Sequence, residues 1–307
     1  MKGLLTLSDN ILCKKEVLGK YYKSTIAGLE VEIHFPQYPA ADEVSTSISN
    51  NFLLPPEIGT TWTRGDEYLR WGYPMNQPAG DSCVELLALS IECEKEEING
   101  FADKLYKFIE TWEHAFIDYL MLETKQNTER DKNISRKTCN LELLDEKYIP
   151  CNRAINVYLT IPKKECFASE QNIINAVAFA DSGKELSLEY QMLLSAYDAR
   201  RTNQNRRAIL DACAAMEITI VDQINQYCQS IGMLPEVLIN KYRYLGERIE
   251  LLKIIGISIP NEDYKTLVVD PRNSVMHNKN VFPTDNTIEK LINCVEVFLG
   301  HFHTAFY

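Results

Sequence analysis

The sequence predicts a chain in two parts, an α+β domain over residues 1–170 followed by an all-α helical bundle over residues 171–307. Three observations lead there. The first half holds short β-rich runs, one of which alternates apolar and polar residues with the period of a half-buried strand. From about residue 184 the rhythm changes to one helical stripe after another. A length of 307 residues is enough for two domains that each bury a core.

In the first half, GLEVEIHF (28–35), SCVELLALSIEC (82–93) and AINVYLTIP (154–162) have the length and composition of strands. Between the last two lies EEINGFADKLYKFIETWEHAFIDYLMLE (96–123). There Phe101, Leu105, Phe108, Trp112, Phe116 and Leu120 recur at helical spacing and define one face. FPQYPAADE, LLPPEIG and GYPMNQPAGDS carry the chemistry of turns and loops. The polar stretch 124–137 has little to bury and is expected to be exposed.

In the second half, helices are expected at 185–201 and at 205–232, the latter with Ile209, Cys213, Met216, Ile220, Ile224, Tyr227 and Ile231 on one stripe. A third, 235–256, opens with Pro235 and stops at Gly256. The fourth contains RNSVMHNKN (272–280). The fifth, 286–306, has Asn286 and Glu289 spaced as a capping box, with Ile288, Leu291, Val295, Leu299 and Phe302 facing inward. Five helices with short connectors make a bundle.

Composition narrows the function classes. Apolar residues at 45% and charged residues at 24% describe a soluble globular protein. The start, MKGLLTLSDNILCKK, reads as no signal peptide, and no apolar run approaches the roughly 20 residues of a membrane span, so a cytoplasmic location is expected. The nine cysteines are scattered, the closest pair ten apart, and read as reduced, mostly buried thiols. A net charge of −11 argues against non-specific coating of nucleic acid. Its distribution is uneven: residues 1–170 carry −8 and residues 171–307 only −3. The basic cluster Arg200, Arg201, Arg206 and Arg207 leaves room for a local RNA site.

The chemistry concentrates in the fourth helix. Asp270-Pro271 reads as N-cap and first helical residue, which places Arg272, Asn273 and His277 in the first two turns. Asn273 and His277 are four apart and lie about 40° from one another around the axis. Arg272 and His277 are five apart, about 140°. A guanidinium near free backbone N–H groups at a helix start favours a phosphate. A histidine beside a phosphodiester can move the proton of a 2′-hydroxyl or of the leaving oxygen near neutral pH. The bland alternative is a solvated or capping pair. Glu217, in AAMEITI of the long helix, has Cys213 and Val221 one turn to either side. A carboxylate in apolar surroundings needs a partner, and Arg272 or His277 is the candidate.

Arg-Asn-Ser-Val-Met-His resembles the R-x4-H signature of HEPN domains, with a polar residue directly after the Arg. RRAILDACAAMEITIVDQI (206–224) resembles that family's long acid-bearing helix, and the order of helices also matches. The resemblance covers roughly residues 184–307. It implies an HEPN-like bundle that works as a metal-independent endoribonuclease without a cofactor, with RNA as substrate, acting in bacterial antiviral defence or as a toxin. It further implies a homodimer in which two such helices line one cleft, and the small Ala212, Ala214 and Ala215 would let helices pack closely near it. Arg272 would steady the scissile phosphate, His277 would do acid–base work, and Asn273 and Glu217 would orient them. The products would be a 2′,3′-cyclic phosphate and a 5′-hydroxyl. Domains of this family also serve as inactive RNA-, nucleotide- or protein-binding modules, which is the alternative reading.

Other residues carry less. No histidine pair has the spacing of an H-E-x-x-H site, so no metal is expected. His301 and His303 are favourable charges at a helix C-terminus, and His34 and His114 read as structural. The loop TTWTRGDEYLRWGYP (60–74) has aromatics that either stack on bases or pin the loop to its domain. No phosphate loop, nucleophile elbow or dinucleotide fingerprint is present. The α+β part is expected to sense or dock a regulatory partner or ligand.

Overall fold

The computed structural model describes residues 2–38, 53, 56, 71–75, 83–92, 102–126, 138–144, 150–158, 167–277 and 283–302. Its contacts divide the chain into two units, Met1–Glu185 and Leu186–Tyr307.

In the first unit, β1 (Lys2–Lys14), β2 (Tyr21–Ile26), β3 (Leu29–His34), β4 (Gly72–Met75) and β5 (Cys83–Glu92) form one antiparallel sheet. Its order is β1-β5-β3-β2, with β4 also on β5. The central β5 therefore has β1 along one edge and β3 and β4 along the other, with Glu92 opposite both Lys2 and Glu32. β2 and β3 join through Ala27 and Gly28, both at positive φ (55° and 76°). Two such residues make the tight turn whose twist matches a hairpin, and glycine adopts that conformation without a Cβ clash. A separate hairpin pairs β6 (Thr138–Leu144) with β7 (Pro150–Tyr158).

Helices α1 (Ala102–Thr124) and α2 (Glu170–Asp181) pack on each other and on β2. Trp112, Phe116 and Leu120 are buried as the α1 stripe requires, whereas Phe108 is exposed. Polar groups tie the layers together. Asp181 accepts hydrogen bonds from the Ser24 hydroxyl and from Trp112 Nε1 (3.0 Å). Glu123 accepts from Tyr119 Oη (3.0 Å), Asn172 Nδ2 (2.8 Å) and Asn175 Nδ2 (3.0 Å).

The three expected strands correspond to β3, β5 and β7; β1, β2, β4, β6 and α2 are additions. GYPM, expected as loop, is β4. Its Pro74 is tolerated because, among the described residues, β4 pairs on one side only. α2 lies with the α+β unit, although the expected boundary fell at residue 170. Its apolar face of Ile173, Ala176, Val177 and Ala180 is buried against α1 and β2. Of the stretch 124–137, expected to be exposed, Thr124 and Gln126 are buried, Gln126 Oε1 accepting from the Leu12 N–H. Residues 127–137 and residues 60–70 of the aromatic loop lie outside the described residues; Trp71 is buried.

The second unit is helical: α3 (Leu188–Arg201), α4 (Asn205–Ser230), α5 (Pro235–Lys241), α6 (Leu245–Ile254), α7 (Asp270–His277) and α8 (Asp285–Phe302). α4 is the centre, in contact with α3, α5, α6, α7 and α8. Ala196 and Ala199 of α3 and Ala208, Ala212 and Ala215 of α4 are buried, so small residues let α3 and α4 approach closely. Ala212 and Ala215 thus serve close helix packing within the chain. On the α4 stripe, Ile209, Cys213, Met216, Ile220 and Ile224 are buried, but Ile231 is half exposed.

The expected helix 235–256 is two helices. Glu247 accepts from the backbone N–H of Arg243 (3.1 Å) and of Tyr244 (3.3 Å), which starts a new helix at α6. Arg243 and Arg248 donate to the carbonyls of Asn240 and Tyr242 at the break. The cap of α8 also differs from Asn286–Glu289. Thr284 Oγ1 accepts from the Thr287 N–H (3.3 Å), and Glu289 pairs instead with Arg200 (3.2 Å). Among the described residues, no helix is long and apolar enough to cross a membrane.

Candidate functional site on α4 and α7

The helix that carries Arg272 begins before Asp270. Tyr264 is already helical, and a π-turn over Lys265–Val269 runs directly into α7. Asp270 is in the right-handed helical region (φ −66°, ψ −46°) and its N–H donates to the Lys265 carbonyl, five residues back. Asp270 is therefore inside the helix, which corrects its assignment as N-cap. The reason lies in Pro271, which lacks an N–H and whose ring would strike the carbonyl of residue 267 in a regular α-helix. A π-turn widens the helix at that point. The cap is Asp263, whose side chain accepts from the Thr266 N–H (3.2 Å). Hydrogen bonds from Thr266, side chain and backbone, hold its carboxyl below the usual aspartate range. Arg272 thus has no free helix start beside it, and an anion there must be held by side chains.

The rotation of α7 is set by Val275, its buried residue. Arg272, three residues earlier, lies on the same side, toward α4. Its Nη2 meets Glu217 Oε1 at 2.8 Å, and the two side chains are 25% and 28% exposed. The pair spans two helices and 55 residues of sequence, and it is partly rather than fully buried. The Cys213 thiol lies one turn before Glu217. Burial, aided by the Glu217 charge and opposed by Arg272, pushes it up to about 12, so it stays protonated and is no nucleophile.

His277 and Asn273 do not join that pair. Both are exposed, on the part of α7 turned away from Val275, and neither makes a hydrogen bond or ion pair among the described residues. Met276 beside them is 53% exposed. Of the four site residues expected, one chain brings together Arg272 and Glu217 and leaves Asn273 and His277 on the solvent side. The guanidinium and the imidazole of a single chain therefore face in different directions.

The surrounding charges are largely compensated. Arg200 pairs with Glu289 (3.2 Å), Arg201 with Asp198 (3.0 Å) and Arg207 with Asp211 (3.2 Å). Arg206 donates from Nη2 to the Val275 carbonyl of α7 (2.5 Å). The other histidines are placed elsewhere. His34 stacks on Tyr21 beside Glu32, His114 is exposed, His301 bonds through Nε2 to the Ser258 carbonyl oxygen (3.0 Å), and His303 lies outside the described residues. Cys13, Cys213, Cys228 and Cys294 are free and buried. Among the described residues, no cluster of three or more His, Cys, Asp or Glu has the arrangement of a metal site.

No family model matches the sequence, and no curated protein or solved structure matches the chain.

Proposed function

We propose that the chain is a metal-independent endoribonuclease of the HEPN type, working as a homodimer in the cytoplasm in antiviral defence or as a toxin. The α+β unit would sense or regulate. The observation that carries this reading is the 2.8 Å pair between Arg272 of the R-x4-H helix and Glu217 of the long central helix. Glu217 fixes one edge of the guanidinium and leaves its remaining N–H groups to hold a phosphodiester.

His277 faces away from that guanidinium, so a second copy with its α7 turned toward the first completes the site. The exposed face of Asn273, Met276 and His277 suits that contact. His277 of the second copy takes the proton of the 2′-hydroxyl, the 2′-oxygen attacks phosphorus, and the 5′-oxygen leaves with a proton from water, the imidazolium returning its own proton to solvent. The products are a 2′,3′-cyclic phosphate and a 5′-hydroxyl. Purified protein is expected to cut single-stranded RNA in excess EDTA. His277→Ala should abolish the cut without moving the melting temperature, because the side chain is exposed. Undiminished cutting by that variant removes the catalytic role of His277.

The absence of partners on His277 and Asn273 among the described residues supports a second reading, an inactive module that binds RNA or protein. It predicts binding with no cleavage under any condition. Toxicity on expression that vanishes with His277→Ala separates the two readings in favour of the enzyme.

A further inference from the structure

We infer that Arg206 is a positioning residue of this site, fixing the end of α7 from which His277 projects. The inference rests on the ribonuclease reading above. Arg206 occupies the first turn of α4, a helix with no acidic residue there and no side-chain cap. A cation in that place is unfavourable for its own helix, whose dipole is positive at the N-terminus. The 2.5 Å bond to the Val275 carbonyl accounts for the placement. Val275 is in the last turn of α7 (Asp270–His277), where carbonyls lie at the negative end of the helix dipole. The guanidinium that is misplaced for α4 stands at the C-terminal end of α7, where the dipole favours a cation. The bond is charge-assisted on the donor side.

The periodicity of α4 makes this a clamp. Arg206, Cys213 and Glu217 are seven and eleven residues apart and fall within about 20° of one line along the helix. From that line Glu217 holds the Arg272 side chain and Arg206 holds the Val275 backbone, with Val275 itself buried. α7 is thus fixed in rotation at two points. His277, two residues beyond Val275, points away from α4 as a consequence of that rotation. Removing the Arg206 clamp leaves the Arg272–Glu217 pair in place and frees the last turn of the helix, where fraying begins. Phosphate binding and proton transfer should then separate, the first retained and the second impaired.

The test compares wild type, Arg206→Ala and Arg206→Lys in the full chain, cutting single-stranded RNA in EDTA, with amide hydrogen exchange of α7 and melting temperature. Arg206→Ala is expected to lower kcat by about 10²-fold, the scale at which a misplaced catalytic group acts, with KM little changed. The amides of residues 275–277 should exchange faster. Arg206→Lys, which keeps a charged donor, should recover most of the rate. A shift in melting temperature with unchanged kcat makes Arg206 merely structural and overturns the inference. So does a rise in KM alone, which makes it an RNA contact. In both cases a cleaving wild type leaves the ribonuclease reading intact. A wild type that does not cleave overturns both.

Discussion

Glu217 shows how a single residue type can announce a partner before the fold is known. A carboxylate with Cys213 and Val221 one turn to either side must be paired or exposed, and the structure makes it some of each. The pair is about a quarter exposed on both sides. Its loss should cost between the roughly 0–1 kcal/mol of an exposed pair and the about 3–5 kcal/mol of a broken buried one. Glu217→Gln is therefore expected to lower unfolding free energy by roughly 1–2 kcal/mol in a urea titration and to reduce cleavage. Exposed Glu236→Gln should stay within about 0.5 kcal/mol. Equal, negligible effects in both would remove Glu217 from the site. Glu247, exposed by its sequence surroundings, is no neutral control because it accepts the N–H groups of Arg243 and Tyr244. The direction of His277 was not legible. It depends on which residue of α7 is buried, and Val275 and Met276 are equally apolar on paper.

Single helices were legible wherever an apolar stripe ran without interruption, as in α3, α4 and α8. They were misread where one side chain overrode the stripe. Glu247 broke 235–256 in two, and Asp270-Pro271, a start signal by composition, became the interior of a longer helix through a π-turn. The true cap, Asp263, gives that correction a pH signature. Its folded carboxyl lies below the usual range, so the stability it contributes is fully present above about pH 3.9 and is lost as pH falls through the depressed value. Melting temperature followed from pH 6 to 2 should fall more for wild type than for Asp263→Asn, which has no carboxylate to protonate. Parallel curves would place the cap elsewhere. Short strands such as β2 and β6 escaped notice because four to seven residues of mixed polarity carry little periodic signal, and their pairing is decided by partners distant in sequence.

For the whole molecule, the change of rhythm near residue 184 marked the division that contacts place after Glu185. The α+β unit and the helical unit each have their own buried core. Composition could not show that α2 belongs to the former. Arg272 with Glu217 and His277 with Asn273 lie on different sides of α7. The proposed composite site between two copies would bring them together, with Arg272 from one chain and His277 from the other acting on one phosphate. Arg272→Ala and His277→Ala should each abolish cleavage as homodimers. Co-expressed, they should form mixed dimers holding one complete site, in which the first variant supplies His277 and the second supplies Arg272. The most direct measurement is RNA cleavage in EDTA by the co-expressed pair. Restored cutting is the expected result; mixed dimers as inactive as either variant alone, beside an active wild type, would contradict the account.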